Sequence, residues 1–346
     1  VDGPEELMLG SVDQIAVDAV GGIYVFDDYV PALRHYDAAG TYVRTLGRKG
    51  GGPGEYGEIC WGMDVRGDGK VVLQDFRNNR LNVYEPDGTL YAHWMVSGAG
   101  PWGGNHGLVV DTADHVYVPI LTGTFDPNKP LPLKTGYLHL DAEGVTVDTV
   151  HLPSLPNEPD QRTANLALFG PEKIQAFSPL GYLIVGMNDD YSFDVRRPDG
   201  PVVRIEREYE PVAYLPEERA EWEAALEWWK RRRPDFDLPQ PPPAHKVPFK
   251  AIQAAVDGRI WVTLSTVAVP EQVEPPPEDP NEPPPLTWHE PTAYDVFEPD
   301  GTYLGRVDLP LDSRGFFMRG DTVWAVRRGK FDEEYVVKLV VADKST

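Results

Sequence analysis

Asp75-Phe76-Arg77-Asn78-Asn79-Arg80-Leu81-Asn82-Val83-Tyr84-Glu85-Pro86-Asp87-Gly88 repeats, without a gap, the stretch that begins 48 residues earlier at Asp27 and ends at Gly40. Asp27 aligns with Asp75, Leu33 with Leu81, Tyr36 with Tyr84 and Gly40 with Gly88. A fixed period of this size marks an array of small units, each covering the apolar face of its neighbour. In the first unit, Ile15-Ala16-Val17, Ile23-Tyr24-Val25-Phe26, Leu33-Arg34-His35-Tyr36 and the run from Thr41 to Leu46 read as four short strands, rich in β-branched and aromatic residues. Gly21-Gly22 and Asp37-Ala38-Ala39-Gly40 supply turns, where glycine is free to take positive φ.

The plan recurs along the chain. The second unit runs from Trp61 to Val96, and the third holds Leu108 to Val110, Val116 to Val118 and Tyr137 to Leu140. The fourth, fifth and sixth centre on Leu183 to Val185, Ile260 to Val262 and Val323 to Val326. The sixth has three strands before the chain ends, and Glu5 to Leu9 is a spare segment ahead of the first. The expected fold is therefore all-β: a six-bladed β-propeller forming one domain over residues 1–346, its last blade completed by Glu5 to Leu9 so that no edge is left open. The first strand of each blade should line a central channel.

Two insertions interrupt the repeat, a helical one at 210–246 and a Pro-rich arm at 270–291. Pro216 to Arg233 reads as a helix, with proline where its missing N–H costs nothing, acids in the first turn and bases in the last. Trp222, Ala225, Leu226 and Trp229 share one face. The arm holds nine prolines and six acids and favours an extended polyproline conformation.

The Asp-x-x-Asn-x-Arg-Leu-x-Val-Tyr-x-x-Asp-Gly pattern at 75–88 resembles that of NHL-repeat and related six-bladed β-propeller proteins of bacterial envelopes. So does the segment Leu46-Gly47-Arg48-Lys49-Gly50-Gly51-Gly52-Pro53-Gly54-Glu55-Tyr56 between the first two blades. The resemblance implies the same fold and an extracytoplasmic protein (periplasm or cell surface), and a start at Val1 rather than Met suggests a processed N-terminus. It implies no particular activity.

A formal net charge of −23 argues against nucleic acid, which requires a basic footprint, and against broad adhesion to anionic lipid. Cys60 is the one cysteine, so no disulfide forms within the chain, and no apolar run approaches a membrane span. Gly47 to Gly54 matches neither a P-loop nor a dinucleotide loop and reads as a flexible crossing between blades. The eight histidines form no local metal-ligand pair. His106 stands just before the first strand of the third blade, at the expected channel mouth. Amidating lyases of similar architecture imply metal-binding histidines at such positions, but the equivalents here are Cys60, Lys173, Lys250 and Arg314. Asp18, Asp64, Asp111 and Asp257 near the ends of first strands, and Asp27, Asp75 and Asn188 at the ends of second strands, read as turn caps.

The functional expectation from these residues is a non-catalytic propeller. It would serve as a protein-interaction or structural accessory subunit of an extracytoplasmic complex, without cofactor or metal. Trp222, Leu226, Trp229, Arg232, Glu274, Glu278 and Trp288 are the candidate partner-binding residues, because tryptophan and arginine are enriched at interface centres. His106, Lys173, Arg314 and Trp102 are the channel-mouth ligand candidates. Two alternatives stand beside it. One is a metal-dependent hydrolase or lyase, lactonase-like or amidating-lyase-like, acting at the channel mouth. The other is a glycan or small-ligand module stacking its ligand on Trp102, Trp61 and Tyr56.

Overall fold

The computed structural model describes residues 8–97, 107–122, 134–156, 158, 169–232, 241–271, 282–329 and 333–342. The repeat becomes six antiparallel sheets, five of four strands and one of three, each in simple meander order from the inside outwards. Blade 1 is Val12–Val17, Ile23–Asp27, Ala32–Tyr36 and Tyr42–Leu46. The inner strands of the following blades are Cys60–Val65, Val109–Val110, Lys173–Phe177, Phe249–Ala254 and Ser313–Arg319. The chain is thus an all-β six-bladed propeller with one helical insertion. Among the described residues no helix is long and apolar enough to cross a membrane.

The apolar core is divided among the six junctions between blades. Phe26 and Leu33 of blade 1 pack with Met63, Leu73 and Tyr84 of blade 2. Val72 and Val83 of blade 2 pack with Val110 and Val118 of blade 3, and the pattern continues around the ring. It closes where Val12, Val17 and Val25 meet Trp324 and Val326. A second strand such as Ile23–Asp27 is buried at every position because blades cover both its faces. An outer strand such as Leu90–Met95 alternates strictly between half-buried and exposed. Each fully buried large side chain contributes about 1.5–3 kcal/mol to this packing.

Blade 6 joins blade 1 through polar contacts as well. Arg314 donates to the Val12 carbonyl at 3.1 Å, and Arg319 donates to the carbonyls of Val17 and Asp18, each at 2.9 Å. Of the expected closing strand, Glu5 to Leu7 lie outside the described residues, and Met8 and Leu9 belong to no strand. Leu9 packs against the blade 6–blade 1 cluster.

Two sequence readings change here. Asp27, Asp75 and Asn188 do more than cap turns. Asp27 accepts from Gly10 N at 2.9 Å and from buried Arg34 at 3.0 Å, so it fastens the incoming chain to the second strand. Asp75 does the same for Gly57 N, and Asn188 for Glu172 N. The Gly47–Gly54 crossing is also fastened. Arg80 donates to the carbonyls of Gly52 and Glu55, each at 2.7 Å, and the Tyr56 hydroxyl donates to Leu46 O while accepting from Leu33 N, both at 3.0 Å. Tyr56 is 1% exposed, so it is a buried tie and not a stacking surface for a ligand. Replacing it with Phe orphans a buried amide and a buried carbonyl. The expected cost is about 1–3 kcal/mol, read as a lower denaturation midpoint at unchanged slope.

The helix α1 (Pro216–Arg232) carries Glu217 and Glu218 in its first turn and Lys230 to Arg232 in its last. It lies against the propeller. Trp222 meets Phe169 edge to face at 5.0 Å, and the Glu221 carboxylate accepts from Thr287 N at 2.7 Å. The two ends of the Pro-rich arm pair with each other, Val269–Pro270 against Trp288–His289. Glu274 and Glu278 lie outside the described residues.

Candidate functional site

Inner strands enter the ring from the face that carries the crossings between blades. In four of them the pairing register slips near that entry, between Val12 and Gln14, Cys60 and Met63, Phe249 and Ala251, and Gly315 and Phe317. A bulge leaves an extra residue unpaired and re-aims its side chain. The residues so released are Asp13, Trp61 with Gly62, Lys250 and Phe316. The mouth of the channel is therefore built by irregularities in otherwise regular strands.

Asp13 is the one carboxylate among the residues so released. Burial, and then the negative charge of Asp28, push its carboxyl up to about 6, against the pull of the Gln14 side chain and of Arg314. Arg314 lies 4.6 Å over the Phe316 ring while donating to Val12 O, which fixes the cation beside the bulge. Cys60 is buried, donates to Gly62 O at 3.3 Å, and has its thiol pushed up by burial and by Asp13. It is a packed hydrophobe and not a nucleophile. Lys173 pairs with Glu158 at 3.0 Å, and Lys250 with Glu290 at 3.1 Å. Glu290 in turn lies 3.2 Å from Lys246, which lies 2.7 Å from Glu218 of α1.

Below the mouth the channel narrows to a cavity of about 70 Å³ lined by Gln14, Met63, Asp64, Gln253 and Met318. That is room for a couple of waters at about 30 Å³ each. The inner strands of blades 2 and 3 touch there. A Cβ on Gly107 would fall on the Trp61 carbonyl, and one on Gly62 on the Leu108 amide.

Asp18, Asp111 and Asp257 cap turns as expected, accepting from Gly22 N, His115 N and Arg259 N. Asp64 does not. Its carboxylate accepts from Val110 N at 2.9 Å in the next blade and from Val65 N at 2.8 Å, and burial pushes it up to about 6. A carboxyl raised on folding favours the folded state fully below its unfolded value near 3.8, and that stabilisation is lost as pH rises through about 6. Relative to Asp64→Asn, the wild type should therefore lose melting temperature between pH 4 and pH 7. An unchanged difference would mean that Asp64 is not held in this state.

Lys173 and Arg314 both stand at inner-strand starts. Trp61 is stacked on Phe76, with ring centroids 3.4 Å apart. His106 and Trp102 lie outside the described residues. The partner-binding candidates fall elsewhere: Leu226 is half-buried on α1, Trp229 is 40% exposed, Arg232 lies 4.5 Å over Trp228, and Trp288 is half-buried in the arm's short ladder. The sequence reading passed over Asp13. By the period of 48 it is the counterpart of Trp61 and stands one residue beyond Val12, the counterpart of Cys60.

Among the described residues no three His, Cys, Asp or Glu side chains converge. The mouth presents Lys173, Lys250 and Arg314 where a divalent cation needs carboxylates or imidazoles.

No family model matches the chain, and no curated protein sequence aligns with it significantly. Solved structures do resemble it. A member of the DUF4221 family from Bacteroides vulgatus aligns over 96% of this chain and 93% of its own at 10% identity, with a TM-score of 0.53. Virginiamycin B lyase from Staphylococcus aureus aligns over 96% and 95% at 10% identity, TM-score 0.46. A gluconolactonase from Xanthomonas campestris aligns over 92% and 83% at 12% identity, TM-score 0.41. At these identities the likeness is one of fold alone. The expectation of a non-catalytic accessory subunit is nevertheless corrected. The mouth holds a raised carboxyl beside a fixed cation, which an inert scaffold does not require.

Proposed function

We propose that the protein is a lyase or hydrolase that acts at the channel mouth on a small anionic molecule, with Asp13 as the acid–base group. The observation that carries this reading is the bulge-released Asp13 carboxyl, raised to about 6 and set beside Arg314. A carboxylate with that affinity for protons is a better general base near neutral pH than an ordinary aspartate. It would take a proton from a carbon next to a carboxylate or carbonyl in the first case, and from water in the second. Arg314 would stabilise the negative charge that develops on the substrate oxygen, as preorganised cations do. Lys173 and Lys250 stand at the same rim but are each paired with a glutamate, so Arg314 is the cation that favours an anionic substrate there.

The test is turnover of a panel of lactones, anionic esters and β-substituted carboxylates by the wild type and by Arg314→Gln. The reading expects turnover that Arg314→Gln lowers sharply. Equal turnover by both proteins would overturn the assignment. We further take the protein to act outside the cytoplasm as an NHL-like propeller, on the strength of segments 46–56 and 75–88. Fractionation of the source cells tests that.

A further inference from the structure

Blades 1 and 2 put different chemistry at the same two positions. In blade 1 these are Asp13, in the bulge of the inner strand, and Asp28, just past the second strand, whose charge acts on Asp13. The residues 48 positions later are Trp61 and Phe76. Trp61 is likewise released by a bulge, and its ring stacks on Phe76 with centroids 3.4 Å apart and planes 26° apart. A pair of carboxylates in one blade is thus a pair of aromatic rings in the next. The two pairs are neighbours, because the charge of Asp13 also acts on Cys60, the residue before Trp61.

The aromatic pair is not spent on folding the ring. Neither Trp61 nor Phe76 joins the apolar clusters at the two junctions of blade 2, and both rings are half-buried. The pair is nevertheless held in place. Phe76 N donates to Ile59 O at 3.4 Å, and Asp75 accepts from Gly57 N at 3.1 Å. Ile59 is 37% exposed beside it, which extends the apolar rim. A fixed and partly open indole is a surface on which a flat ring can stack.

On the other side of Asp13, in blade 6, stands Arg314. It is exposed and makes no ion pair among the described residues. Arg314, Asp13 and Trp61 therefore follow one another around the mouth on blades 6, 1 and 2: a cation, a carboxyl and an aromatic platform.

We propose that the mouth selects small molecules in which an aryl ring is joined by a short link to an anionic group. The ring lies against Trp61, the anionic group meets Arg314, and the link passes over Asp13. The proposal rests on the reading of the mouth as the reacting site and adds the substrate class. The bond that reacts then lies in the link.

The experiment is NMR titration of the full-length protein with 3-phenylpropionate at pH 5, where Asp13, raised to about 6, mostly keeps its proton and does not repel the ligand. Hexanoate, an anion without a ring, and 3-phenyl-1-propanol, a ring without a charge, are the controls. We expect saturable binding with Kd on the order of 10⁻³ M, and binding of each control about tenfold weaker or less. The indole N–H signal that Trp61→Phe removes should shift in the wild type as ligand is added. Trp61→Leu should lose about tenfold in affinity, and Trp61→Phe, which keeps a ring, should lose no more than about threefold. Arg314→Gln should also lose about tenfold. Equal binding of hexanoate, an unmoved Trp61 indole signal, or undiminished affinity in a Trp61→Leu protein that melts as the wild type does would each overturn the proposal. Asp13→Asn should bind 3-phenylpropionate as the wild type does. Such binding, with no turnover of any substrate by the wild type, would remove the catalytic reading and leave the ligand class standing. Turnover of aliphatic lactones with no preference for aryl ones would do the reverse.

Discussion

Replacing Lys246 with Met should destabilise the protein by about 3–5 kcal/mol, the cost of stripping a buried carboxylate of its cation. The side chain of Lys246 is 1% exposed. Its ammonium lies 2.7 Å from Glu218 and 3.2 Å from Glu290, donates to Thr266 O at 3.1 Å and sits 5.0 Å over the Tyr214 ring. Met fills similar volume, so the loss comes from charge and not from a cavity. Two carboxylates would then face each other with little water, Glu218 being 4% exposed. The melting temperature should fall by roughly 5–15 °C. Adding Glu218→Gln and Glu290→Gln to the same protein should restore part of the loss, because the penalty belongs to the uncompensated charges. Limited proteolysis should cut α1 first, since Glu218 anchors its first turn. A Lys246→Met protein that melts with the wild type would show that the network does not hold the helix.

That network also separates what the sequence could say from what it could not. The helix was readable from Pro216, its acidic start and its basic end, all of them local signals. Its covering was not, because Phe169, Lys246 and Thr287 come from three other parts of the chain. The blades were readable for the same local reasons. The period of 48 between Asp27 and Asp75, and the Asp-Gly turns, are carried by neighbouring residues, and Gly40 and Gly88 do take the left-handed conformation with φ of 83° and 89°. Turn capping by Asp18, Asp111 and Asp257 belongs to that local class. The clamps made by Asp27 and Asp75 do not, since their partners Gly10 and Gly57 arrive from the preceding crossing. Asp64 looked like its three counterparts in sequence and differs because blade 3 offers it the Val110 amide. The bulges were invisible, because inner strands are largely covered on both faces and show little alternation in which a one-residue change of phase could be seen.

Asp13→Asn should abolish most of the activity at the mouth, by about 10²–10⁴-fold in kcat/KM, the usual contribution of a positioned acid–base group. Asn keeps the size and hydrogen-bonding shape of the side chain and removes only the proton affinity. The fold should survive and gain stability at neutral pH. A carboxyl raised to about 6 stabilises the folded state fully below about 3.8 and loses that stabilisation as pH rises through 6, so the wild type carries a cost at pH 7 that Asn does not. Loss of activity together with unchanged or higher melting temperature is therefore the expected pair of results, and it separates a chemical role from a structural one. The pH profile gives a second check. With Asp13 acting as the base, kcat/KM should rise through pH 6, and Asp28→Asn should move that rise to lower pH, because Asp28 is the nearby charge that opposes ionisation. Arg314→Gln should move it higher, because Arg314 favours the carboxylate. Shifts in the other sense, or a profile indifferent to both changes, would mean that the titrating group is not Asp13. The two shifts run in opposite directions from substitutions on different blades, 1 and 6, which general loosening of the mouth would not produce.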